Sequence, residues 1–87
     1  METRKVVFDS GTALELKAIA VLIQKASAYR SSIWVNCGDR RANAKSLLGV
    51  MSLRVERGQE LEITTEGPDA KEALEAVAGY LEHPDED

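Results

Sequence analysis

Apolar positions change period several times along this chain, and each change marks an element. Over 5–8 the alternation predicts a short strand with Val6 and Phe8 on the core face, closed by the turn formers Asp9, Ser10 and Gly11. The period then becomes helical. Leu16, Ile19, Ala20, Leu22, Ile23 and Ala26 predict a helix over 16–28, with Lys17, Gln24 and Lys25 largely on the opposite side. A strand over 32–36 follows with Ile33 and Val35 inward, and Cys37, Gly38 and Asp39 turn the chain into a polar strand at Arg40–Asn43. Trp34 then faces away from the core. Packing against a long side chain of a neighbouring strand accounts for it there, and an interface role is the alternative.

Ser46 stands directly before the apolar run Leu47, Leu48, Val50 and Met51, the position of a helix N-cap. The helix it opens reaches residue 53 and contains Gly49, which costs about 1 kcal/mol relative to alanine, so it depends on packing. Leu61, Ile63 and Thr65 alternate with Glu62, Thr64 and Glu66 as a half-buried strand over 60–66. Pro68 and Asp69 open a last helix whose apolar stripe is Ala70, Ala73, Leu74, Val77, Ala78 and Leu81, and Asp69 with Glu72 has capping-box spacing. Residues 83–87 read as a flexible acidic tail after a single domain over 1–82. The element order βαββαβα predicts a two-layer α/β open-faced sandwich, one sheet face covered by helices and the other wet.

Composition narrows the function. Eighty-seven residues suit one small domain with a single core, too small for a separate catalytic domain. A formal charge of −4 with acids and bases spread along the chain argues against direct nucleic-acid binding. No apolar run approaches the ~20 residues of a membrane span, and no signal-peptide core follows Met1-Glu2-Thr3-Arg4-Lys5, so a cytoplasmic protein without membrane partners is expected. Cys37 is the single cysteine and His83 the single histidine, placed in the acidic tail. Neither a disulfide, a metal site nor a cofactor is expected from them, and Cys37 reads as a small residue at a strand end.

The element order, the segment Ala44-Lys45-Ser46 with two following aliphatics, Gly49, Met51-Ser52-Leu53 and the Glu66-Gly67 break carry a resemblance. Over essentially its whole length the chain resembles HPr, the histidine-containing phosphocarrier family of the bacterial sugar phosphotransferase system. The resemblance implies an antiparallel four-stranded sheet in the order 1-4-2-3 with three helices on one face. That family carries its phosphoryl group on a histidine within Gly-Leu-His-Xaa-Arg-Pro-Ala-Ala, which corresponds here to Ala13, Leu14, Glu15, Leu16, Lys17, Ala18, Ile19 and Ala20. Glu15 therefore occupies the acceptor position. A carboxylate can form an acyl phosphate, but the arginine that would steady it is Lys17, a point charge without a bidentate fork, and the proline is Ala18. Glu15 reads as an acid favourably placed near a helix N-terminus, and no catalytic residue is assigned.

The Crh-type catabolite repression subgroup likewise lacks the histidine and keeps the serine. Similarity to it implies that Ser46 is phosphorylated by an HPr kinase/phosphorylase and that the modified protein is a corepressor for a LacI-type catabolite control protein. It also implies partner-binding roles for Lys17, Lys45, Leu47, Leu48 and Met51, with Leu47 and Met51 expected to be exposed. Crh-type chains usually carry glutamine at position 15 and retain the arginine and proline, and Arg54 stands where the family has a small residue. A diverged phosphocarrier, or an interaction module of the same fold that no longer uses Ser46, is therefore the alternative reading. Either a monomer or a homodimer is compatible with the sequence.

Overall fold

The computed structural model describes residues 1–11 and 13–84. Strand β1 (Glu2–Val7) is followed by helix α1 (Leu16–Ser27), the hairpin β2 (Ser32–Cys37) and β3 (Arg40–Asn43), helix α2 (Leu47–Leu53), strand β4 (Glu60–Glu66) and helix α3 (Ala70–Glu82). The sheet has four antiparallel strands in the order β1-β4-β2-β3, as the resemblance implied. β1 begins earlier than its apolar period predicts. Residues Glu2 to Lys5 are exposed, and they join the sheet through backbone pairing with β4, from Glu2 opposite Thr65 to Val7 opposite Glu60.

Strict alternation of side chains sorts the sheet into two faces. Val6, Leu61, Ile63, Ile33, Val35, Cys37 and Ala42 are buried and join Ile19, Leu22 and Ala26 of α1 and Ala73, Leu74, Val77, Ala78 and Leu81 of α3 in one core. Each fully buried Leu or Ile contributes about 1.5–3 kcal/mol. α1 packs on α3 and α2, which closes its Ile19, Leu22 and Ala26 line but leaves Leu16 and Ala20 exposed, narrower than the stripe expected from period alone. On the open face Trp34 is half-buried, and the Arg41 guanidinium from β3 stacks over its ring at 4.2 Å. Cross-strand packing is thus what holds it.

The expected capping box at α3 does not form. Asp69 makes no side-chain cap to its own helix. Its carboxylate instead accepts the Arg30 N–H at 2.9 Å, the Ser31 N–H at 2.9 Å and the Ser31 hydroxyl, while its own N–H donates to Ser31 Oγ. The loop before β2 offers those donors unpaired, and a carboxylate that meets several at once gains more than from one helix amide. Gly67 makes the approach possible, because a Cβ there would lie 2.6 Å from Ser31 Oγ and 2.7 Å from Ser31 Cα, and its φ of +147 is unfavourable for other residues. Of the expected tail, His83 is exposed and Pro84 is buried, while Asp85, Glu86 and Asp87 lie outside the described residues. Among the described residues no helix is long and apolar enough to cross a membrane.

Candidate functional site

Ser46 is presented by a short chain of local hydrogen bonds. Ala44 is fully buried and its N–H donates to the Ile33 carbonyl at 2.9 Å, which ties the segment to β2. Asn43 then turns the chain, its side-chain Oδ1 accepting the Lys45 N–H at 2.8 Å and its carbonyl accepting the Ser46 N–H at 2.9 Å. Ser46 adopts extended backbone geometry, and its Oγ accepts the Gly49 N–H at 3.1 Å. This is the N-cap that the spacing predicts.

Only Val50 and Leu53 of α2 are buried, so the helix spends its apolar side chains on two surfaces. Leu47 and Met51 are each 46% exposed and Leu48 is 79% exposed. Leu16, in the first turn of α1, is exposed as well, and α1 packs on α2. Among the described residues the remaining exposed large apolar side chains, Met1 and Val7, lie at β1. Apolar exposure is thus concentrated on the two helices that Glu15 and Ser46 precede.

The exit of α2 joins these positions. Arg54 ends the helix in the left-handed region, φ 52 and ψ 54, with its N–H on the Met51 carbonyl at 3.3 Å. That turn delivers Val55 into the core and its carbonyl to the Leu14 N–H at 3.0 Å, immediately before Glu15. Arg40 reaches from β3 to the Ser52 carbonyl at 3.2 Å, satisfying one of the last carbonyls of α2.

Glu15 is exposed at the N-cap position of α1 and makes no side-chain cap, while its carbonyl accepts the Ile19 N–H at 2.9 Å. Lys17 is exposed in the first turn of α1. Lys45 is held differently. Its ammonium donates to the Tyr29 carbonyl at 2.8 Å, just beyond the end of α1, where cations meet the negative end of the helix dipole. The structure therefore brings Glu15, Lys17, Leu47, Leu48 and Met51 onto two packed helices, and turns the Lys45 side chain toward its own fold. Sequence reasoning missed this anchor, the left-handed Arg54 and the Asp69 cluster, since each depends on a partner distant in the chain.

Among the described residues no group of three or more His, Cys, Asp or Glu is placed to hold a metal ion. Cys37 is buried at the end of β2. An open notch of about 370 Å³ lies between β1 and the end of α3, lined by Lys5, Val6, Val7, Asp9, Glu60, Glu82 and His83. It is on elements other than those that carry Ser46 and Glu15.

Comparison with known proteins agrees with this layout. The family model described as the PTS HPr component phosphorylation site matches residues 2–83. The HPr-like protein Crh of Bacillus subtilis is 34% identical over 82 residues, covering 94% of this chain and 96% of that protein. Among solved structures, HPr-C-His from Thermoanaerobacter tengcongensis superposes with a TM-score of 0.89 at 34% identity, covering 94% of this chain and 92% of that one. Crh of Bacillus subtilis, described as a domain-swapped, intertwined dimer, does so with a TM-score of 0.75 at 34% identity, covering 93% of each chain. Every strand and helix falls inside the matched span, and the chain belongs to the HPr family.

Proposed function

We propose that this protein is a cytoplasmic, non-catalytic regulator, phosphorylated on Ser46 by an HPr kinase/phosphorylase and acting in carbon catabolite repression as corepressor of a LacI-type transcription factor. The observation that carries the reading is the contrast between its two positions. Ser46 is half-exposed beside the exposed Leu47, Leu48 and Met51, whereas the carrier position holds Glu15 with Lys17 in place of an arginine. The similarity to Crh, a protein whose solved structure is described by catabolite repression, supports the same choice.

The switch is local and electrostatic. Phosphorylation adds about −1.5 to −2 charges and three acceptor oxygens at Ser46, creating a contact for an arginine or lysine of the partner next to an apolar patch that needs no rearrangement. Lys17, exposed on the helix that packs against α2, supplies a positive charge, and Leu47, Leu48 and Met51 supply the apolar contact. Lys45 joins only by exchanging its bond to the Tyr29 carbonyl for one to the partner.

Incubation with an HPr kinase/phosphorylase and ATP should add one phosphate, absent in Ser46→Ala, and the phosphorylated form should retain a LacI-type repressor that the unmodified form does not. Label from phosphoenolpyruvate and the general phosphotransferase enzyme, labile to hydroxylamine and lost in Glu15→Gln, would instead establish a diverged phosphocarrier. Binding to the repressor that is indifferent to Ser46→Ala would establish an interaction module.

A further inference from the structure

The space around the Ser46 hydroxyl is set by a residue that contributes no side chain. A Cβ built on Gly49 would stand 3.2 Å from Ser46 Oγ, 3.3 Å from Ser46 Cβ and 3.5 Å from the Cβ of Ala42, which is itself buried. The first two contacts are tighter than most that a real Cβ makes. Nothing in the backbone asks for glycine here. Gly49 lies inside α2, and it is not among the glycines with positive φ, which are Gly38, Gly58 and Gly67. Helix propensity argues against glycine at an interior position. What glycine does that alanine would not is leave the sector beside Oγ empty while its N–H holds that oxygen at 3.1 Å.

We infer that Gly49 is a specificity-determining residue for modification of Ser46, its missing side chain clearing the path of the phosphoryl donor and the room for the phosphate oxygens. This rests on the reading of Ser46 as the modified residue. In the reaction, Ser46 Oγ attacks the γ-phosphorus of ATP and an Oγ–P bond forms as the bond from phosphorus to the ADP oxygen breaks. The hydroxyl proton passes to a base of the kinase and ADP leaves. One lone pair of Oγ rests on the Gly49 N–H and another must face the phosphorus. A methyl group at 3.2 Å from the same oxygen restricts the rotation that aligns it and occupies space the three phosphoryl oxygens need. The hydroxyl alone tolerates that methyl by a shift of a few tenths of an ångström, so a change at position 49 separates folding from modification.

The test measures phosphate incorporation by intact-protein mass spectrometry with an HPr kinase/phosphorylase and ATP, on the unaltered chain, Gly49→Ala, Gly79→Ala and the double variant Ala42→Gly/Gly49→Ala. Gly79 is the control, since an added Cβ there meets nothing within 4 Å. Gly49→Ala should keep a cooperative thermal melt and lose at least tenfold in kcat/KM, mostly in kcat. Gly79→Ala should match the unaltered chain, and the double variant, which lets the new methyl lean toward position 42, should recover part of the loss. Modification of Gly49→Ala at the unaltered rate would overturn the inference, as would an equal loss in Gly79→Ala. If Gly49→Ala does not melt cooperatively, the double variant carries the comparison, and its phosphorylation at the unaltered rate would overturn the inference. An unaltered chain that takes no phosphate would overturn the assignment of Ser46 instead.

Discussion

Replacing Arg54 with glycine should stabilise the protein. Arg54 is the one non-glycine residue with positive φ among those described, and its left-handed geometry turns the chain so that Val55 enters the core. For a residue with a Cβ that geometry costs about 1–2 kcal/mol, and glycine removes most of it. Against this stands the greater freedom glycine returns to the unfolded chain, about 0.5–1 kcal/mol. A net gain of about 0.5–1 kcal/mol remains, which for a domain of this size raises Tm by about 3–6 °C. Arg54 is exposed, so little packing is lost. Thermal melts followed by far-ultraviolet circular dichroism on the unaltered chain, Arg54→Gly and Arg54→Ala give the answer. Alanine removes the charge but keeps the strain and should leave Tm nearly unchanged. A rise in Arg54→Ala equal to that in Arg54→Gly would trace the effect to charge, and no rise in Arg54→Gly would refute the strain argument.

Ser46→Ala removes the cap of α2 and should cost about 1 kcal/mol, read as a lower urea midpoint at unchanged m, while Ser46→Asp should recover much of it because a carboxylate also caps. Gly67→Ala should lose at least about 2 kcal/mol, since its Cβ would collide with Ser31 at 2.6–2.9 Å and its φ is +147; a melt within 2 °C of the unaltered chain would contradict the packing. The hydrogen bond from the Ser31 hydroxyl, followed by those from the Arg30 and Ser31 N–H groups, lowers the Asp69 carboxyl from 3.8 to about 2. Because the folded value lies below the unfolded one, the stabilisation is fully present above pH ~4 and is lost as pH falls toward 2. Asp69→Asn should flatten the acid limb of the stability profile in that window, and an unchanged slope would show that other carboxylates set it.

Local rules carried much of the fold. The period of Leu61, Ile63 and Thr65 and the stripe from Ala70 to Leu81 define β4 and α3 because alternate or helically spaced residues must share a face whatever they pack against. The Ser46 cap was legible for the same reason, its donor lying three residues away. β1 was not fully legible, since Glu2 to Lys5 are strand only through the hydrogen bonds of β4.

The sequence by itself therefore determined the element order, the side of each strand that is apolar and the cap at Ser46, all set within a few residues of each other. Tertiary structure alone decided that Asp69 would clasp Ser31, 38 residues away, rather than its own helix. It also decided that Lys45 would turn to Tyr29, that Arg54 would bear a left-handed backbone, and that Gly49 would be empty space against Ala42. Such choices compare a local hydrogen bond or conformation with one formed across the fold, and the energies differ by only a few kcal/mol, so they are settled when the distant partner arrives.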